Sequence, residues 1–97
     1  MKLRLLSVSP ASASSSKKYT AVFIRDGREF SVSFGARGYD DYTTHRDKKR
    51  REAYRARHAS GRDAPPETPN ALAYWLLWGP STSLARNVAS FRKRYGV

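Results

Sequence analysis

Asp26-Gly27 separates two strand-like runs, Tyr19 to Arg25 and Arg28 to Phe34. Asp-Gly between alternating apolar residues is the strongest short-range signal for a β-hairpin. A two-residue turn also sets the pairing. It places Phe23 opposite Phe30, Ala21 opposite Val32 and Tyr19 opposite Phe34. These six lie on one face, because strand side chains alternate. The other face is mixed, with Thr20, Val22 and Ile24 against Ser33, Ser31 and Glu29. A lone hairpin is marginal in water, so helices must cover the aromatic face.

Three helices are expected downstream. The first is predicted from about Thr44 to Ala59, ending at Gly61, with Thr44 and Asp47 in the spacing of a capping box. Its apolar positions are sparse (Ala53, Tyr54, Ala56), so its burial must be shallow. A proline-rich loop follows, and Thr68-Pro69 reads as an N-cap and first helical residue. The second helix runs to about Trp78, where Gly79-Pro80 stops it. The third starts after a cap among Ser81, Thr82 and Ser83. It carries Leu84, Val88, Phe91 and Tyr95 as one stripe and ends at Gly96.

Residues 7–16 are low in complexity and rich in serine. Alone they bury too little apolar surface to offset their ordering entropy. The expected organisation is therefore a flexible, extended basic arm over 1–18 and a single small domain over 19–97. The expected fold class is α+β: an N-terminal extended arm and a two-stranded antiparallel β-hairpin packed against three helices. The arm's basic, acid-free composition resembles a transit peptide, while its apolar portion is too short for a secretory signal. No apolar run approaches the ~20 residues that span a bilayer. The absence of cysteine excludes disulfides and thiolate metal sites.

The 97 residues carry 19 Lys plus Arg against 8 Asp plus Glu, a net charge of +11. Such a surplus attracts polyanions, nucleic acid first and acidic protein surfaces second. It concentrates between Arg46 and Arg62, where Arg46, Lys48, Lys49, Arg50, Arg51, Arg55, Arg57 and Arg62 meet only Asp47 and Glu52. A merely solvated helix would mix signs for i,i+4 pairing. This segment is therefore read as contacting an anionic partner, together with Lys17, Lys18, Arg37, Arg86, Arg92, Lys93 and Arg94. Reversal of Arg50, Arg51 and Arg55 to Glu is the test the sequence suggests.

Catalysis is not expected. His45 and His58 bracket one helix about 20 Å long and cannot share a metal. No nucleophile, base and orienting group line up. Asp40, Asp41 and Asp47 suit turns and helix N-termini better than a magnesium site. Gly35 to Gly38 lacks the spacing of a phosphate loop and suits positive-φ backbone at the strand exit. Tyr39, Tyr42 and Tyr54 lie among the cations and could stack on bases, with Tyr42 and Tyr54 expected in the core. Trp75 and Trp78 read as core or interface anchors. No cofactor and no metal are implied.

Lys18-Tyr19, Phe34-Gly35, Gly38-Tyr39, Asp41-Tyr42-Thr43, His45-Arg46-Asp47 and Tyr54-Arg55-Ala56-Arg57-His58 stand in a fixed order. Leu76-Leu77-Trp78-Gly79, Thr82, Leu84 and Lys93-Arg94-Tyr95 follow. This pattern over residues 17–95 resembles a family of small, uncharacterised basic proteins encoded by large DNA viruses of algae and protists. The proline-rich loop at 64–69 departs from it. The resemblance carries no catalytic residues. It marks Gly35, Gly38, Tyr39, Tyr42, Thr43, His45, Asp47 and His58 as a motif loop, and it implies a viral source and a place in the virion. The expected function is a non-enzymatic structural component, a minor capsid or cementing protein. Its basic helix and arm would bridge capsid or other virion proteins, or the genome, within a larger assembly. The alternative is a DNA- or RNA-binding accessory protein or ribonucleoprotein component, located in the host nucleus or virus factory.

Overall fold

The computed structural model describes residues 2–97. Strands β2 (Lys17–Arg25) and β3 (Arg28–Ala36) form the expected hairpin, with Tyr19, Ala21 and Phe23 opposite Phe34, Val32 and Phe30. Asp26 and Gly27 have φ of 54° and 77°, the positive pair that a type I′ two-residue turn requires. Phe23 stacks on Phe30 with centroids 5.6 Å apart, and Tyr19 on Phe34 at 5.9 Å.

The sheet has three strands, and this corrects the expectation of a two-stranded hairpin with a free arm. Strand β1 (Leu3–Pro10) pairs antiparallel with β2, giving the order β1-β2-β3. Its register shifts between Leu5 and Ser7. Leu6 is the extra residue of that bulge and points outward, 42 % exposed, while Leu5 is buried and Val8 packs against the core. The bulge breaks the two-residue alternation, so the strand does not read as one in sequence. The serines beyond it turn back at Ser12–Ser15, where the Ser15 N–H donates to the Ser12 carbonyl at 2.9 Å. Arg37 secures this turn by donating to the carbonyls of Ser15, Ser12 and Lys17 at 2.8, 3.0 and 3.2 Å.

On its other side β1 meets the chain's C-terminal end. The Leu5 N–H donates to the Val97 carbonyl at 3.1 Å, and Arg92 donates to the carbonyls of Leu5 and Leu6 at 3.1 and 3.3 Å.

Four α-helices follow, not three: α1 (Tyr42–His45), α2 (Lys48–Arg57), α3 (Pro69–Leu72) and α4 (Leu84–Tyr95). The expected first helix is split. The capping box lies one turn earlier than expected, between Asp41 and Thr44. Arg46 then takes the left-handed conformation, φ 58°, and ends α1. Asp47 starts afresh as the N-cap of α2, accepting from the N–H groups of Lys49 and Arg50 at 3.0 and 3.3 Å. Helix α2 closes at Arg57, and Ala59–Arg62 forms a separate tighter turn. The later caps fall where expected. Thr68 and Ser83 accept from the N–H groups of Ala71 and Arg86 at 3.3 Å each. Gly96 ends α4 with φ 68°.

The wide π-type turn Ala73–Leu77 extends α3, and together they cover the sheet while α4 packs on the turn. The core is Leu5, Ala21, Phe23 and Phe34 from the sheet with Leu72, Leu76, Leu77 and Phe91 from the helices. Each fully buried Phe contributes about 2–3 kcal/mol over leaving it exposed. Asn87 is the one fully buried polar side chain in this region. It donates to the carbonyls of Leu76 and Ser81 at 2.9 and 2.8 Å and accepts from the Ser81 N–H at 3.0 Å. Gly79 lies beneath it, and a Cβ there would run into the Trp75 carbonyl and the Asn87 side chain.

Candidate functional site: a basic helix beside an aromatic cleft

Helix α2 has no fully buried residue. It is held to the body by Tyr54 and two arginines on its inner side. Arg51 donates to the Gly79 carbonyl at 2.6 Å and lies 5.4 Å from the Tyr42 ring centre. Arg55 donates to the Trp78 carbonyl at 3.0 Å and rests on Tyr74 and Trp75 at 4.4 and 5.0 Å. Burial lowers the Arg51 pKa from its usual value, and the neighbouring Arg55 charge adds to the effect. These two guanidinium groups act as staples and are half-buried against the body. The charge reversal suggested by the sequence would therefore unseat the helix as well as change its charge.

The other cations of this segment are different. Lys48, Lys49, Arg50 and Arg57 of α2, and Arg46 between α1 and α2, are all exposed. Among the described residues the ion pairs are Lys18–Asp41, Arg25–Glu67, Arg62–Asp63 and Arg94–Asp63, so none of these five is neutralised. Asp47 is occupied with its cap, which leaves Glu52 as the only other acidic group on the helix.

Tyr54 also carries an aromatic column. It stacks on Trp78 at 4.2 Å and 5°, and on His58 at 4.2 Å and 25°; His45 meets Trp78 at 5.2 Å, tilted by 54°. Burial raises the Tyr54 pKa, against the lowering pull of Arg57. The His45 Nδ1 accepts from the Asp47 N–H at 2.9 Å, and its buried Nε2 has no hydrogen-bond partner. The two histidines thus flank the Tyr54–Trp78 pair, His58 stacked and His45 tilted. Among the described residues no group of His, Asp and Glu is arranged to hold a metal ion.

Beside the column a cleft of about 520 Å³ opens between α2, the end of β3 and the π-type turn. Ala53, Ala73, Leu77, Gly35 and Ala36 contribute to its lining, as do Tyr39, Tyr54 and Trp78. Gly35 is fixed there by two demands. Its φ is +79°, and a Cβ would approach Leu77 Cδ1 to 2.8 Å. At one edge the Lys18 ammonium donates to Asp41 at 2.7 Å. The other Asp41 oxygen accepts from the Thr43 N–H at 2.9 Å and from the Thr43 hydroxyl. With its side chain 3 % exposed, this carboxylate depends on Lys18 for its counter-charge.

The structure therefore divides the cations selected from sequence. Lys18, Arg37, Arg51, Arg55, Arg92 and Arg94 are spent on internal contacts, Arg94 by lying over Trp75 at 4.2 Å. Lys17, Arg46, Lys48, Lys49, Arg50, Arg57, Arg86 and Lys93 are exposed. In the motif loop, Tyr42 is buried, while Tyr39 is 73 % exposed and reaches the cleft. Gly38 supplies positive φ (91°), Thr43 supports Asp41, Asp47 caps α2 and His58 closes it. Sequence reasoning missed the cleft itself. Its walls come from four separate segments, and Ala53, Ala73 and Leu77 carry no chemical signal by which a binding site is recognised.

The model of a family of unknown function (DUF5754) matches residues 8–58, just over half of the chain. That span holds most of the sheet, α1 and all of α2, so the basic helix lies within it and the Ala73–Trp78 wall of the cleft lies outside. No curated protein and no solved structure matches the chain. No helix among the described residues is long and apolar enough to cross a membrane.

Proposed function

Starting from a chain that belongs to the DUF5754 family, we propose a non-enzymatic binding protein of a larger assembly, with the outer side of α2 as its contact to a polyanion. One observation carries this reading: Lys48, Lys49, Arg50 and Arg57 on α2, with Arg46 just before it, are all exposed and in no ion pair among the described residues. Such a cluster of unpaired cations suits the closely spaced charges of a phosphate backbone or an acidic protein surface. In the setting the viral resemblance implies, the assembly is a virion and the neighbours are capsid proteins or the packaged genome. The N-terminal segment is a strand of the sheet and not a free arm, so it would reach a partner only through exposed side chains such as Arg4. A second reading, a nucleic-acid-binding accessory protein, is favoured by the aromatic groups bordering the basic helix.

Lys48→Glu with Lys49→Glu tests the contact. Both positions are exposed, and acidic groups in a first helical turn are favourable. The expected result is an unchanged unfolding midpoint with a roughly tenfold or greater loss of affinity for heparin and duplex DNA, and a shallower salt dependence. Undiminished binding would reduce α2 to a solvated surface. Copurification with virus particles at fixed stoichiometry tests the virion setting.

A further inference from the structure

The cleft differs in kind from the basic surface next to it. Its lining is mostly apolar and aromatic, with Tyr54 and Trp78 stacked face to face at 4.2 Å and the exposed Tyr39 also facing the space. Its polar groups are few and unevenly committed. Lys18 and Asp41 neutralise each other. Arg50 and Arg57, seven residues apart and so about two helical turns along the same side of α2, are in no ion pair among the described residues. Asp40 is exposed, and its one hydrogen bond, with the Thr44 hydroxyl, is long at 3.5 Å. At about 520 Å³ the space is within the range of small-molecule sites.

We propose that this cleft binds a nucleobase together with its phosphate. A flat ring fits the apolar space against the exposed Tyr39, which is in no ring stack among the described residues, while Tyr54 and Trp78, already stacked on each other, wall the space with apolar ring edges. Arg50 and Arg57 offer donors to the phosphate at the rim. Asp40 offers an acceptor for a ring N–H or exocyclic amine, the groups a base presents once it is unpaired. A base within a duplex is stacked and paired and cannot enter. The source is therefore a single strand or a free nucleotide. The acyl chain of a lipid would leave Asp40 without a use, which sets that ligand aside. The inference rests on the polyanion contact proposed above, whose cations continue from the cleft rim along α2.

The test compares three probes by titration at one salt concentration: a short single-stranded oligodeoxynucleotide, an abasic oligomer with the same number of phosphates, and a nucleoside monophosphate. The base-bearing oligomer is expected to bind roughly tenfold tighter than the abasic one. Tyr39→Ala, at a position 73 % exposed, is expected to remove most of that advantage while leaving abasic binding and the unfolding midpoint unchanged. A monophosphate that binds with comparable affinity and competes with the oligomer identifies a free nucleotide as the ligand. A monophosphate that does not compete identifies a strand. Equal affinity for the base-bearing and abasic oligomers, unmoved by Tyr39→Ala, overturns the base site and leaves the polyanion contact standing. Binding to heparin but to none of the three probes does the same. Failure to bind heparin as well overturns both.

Discussion

Asn87 pins a whole loop from one position. Its amide takes three hydrogen bonds across the loop between the π-type turn and α4 while fully buried. A buried carbonyl left without its donor costs about 1–3 kcal/mol. Asn87→Ala removes donors from two carbonyls and opens a void, so it is expected to lower stability by about 3 kcal/mol, read as a reduced urea midpoint with an unchanged slope. A loss below about 1 kcal/mol would mean that the loop is held by other contacts. Gly79 shares this constraint, because the same loop leaves no room for a Cβ. Lys18 is a comparable case at the cleft, where its ammonium is the counter-ion of a buried carboxylate.

Helix α2 contributes little apolar burial, so its attachment rests on directed polar bonds. Replacing Arg51 and Arg55 by Gln removes two charge-assisted hydrogen bonds to backbone carbonyls, each worth roughly 1.5–3 kcal/mol. The double variant is expected to lose amide-exchange protection along α2 while β2 and β3 keep theirs. Persistent protection of α2 would show that Tyr54 and its ring partners suffice. The elements differ in how far they could be read from sequence, and the reason is the range of the interactions that define them. The β2–β3 hairpin was legible because a two-residue turn is a local determinant. So were Thr68, Ser83 and Gly96, whose caps involve neighbours within one turn. Strand β1 was hidden, because the bulge at Leu6 spoils its alternation and its partner lies beyond a serine-rich turn. The start of α1 was misplaced because Asp40, Asp41 and Asp47 all precede helix-forming residues, and only the buried Lys18 contact distinguishes Asp41. Arg51 and Arg55 look like solvated charges until the carbonyls of Gly79 and Trp78 are brought beside them.

Over the whole molecule, 19 cationic side chains face 8 carboxylates, and Asp41, Asp63 and Glu67 are already engaged in ion pairs. The Glu67 carboxyl feels opposing influences. Burial raises its pKa, but its own backbone N–H and Arg25 outweigh that and hold it below the usual value. The remaining positive surplus repels itself in the compact state. Added salt screens this repulsion, with a Debye length falling from about 30 Å at 0.01 M to about 8 Å at 0.15 M. Stability is therefore expected to rise with sodium chloride over that range while affinity for polyanions falls. Thermal unfolding and heparin titration in matched buffers check the pair of slopes, and a melting temperature that drops with salt would contradict the charge account.

An outer strand is normally an invitation to further chains, because its free N–H and C=O groups can template another strand. In β1 that row is interrupted at its centre, where Arg92 and Val97 already occupy the bonding positions of Leu5 and Leu6. A second copy finds no continuous line of donors and acceptors there on which to add. Growth of a filament through this margin would first require the Arg92 and Val97 contacts to peel away.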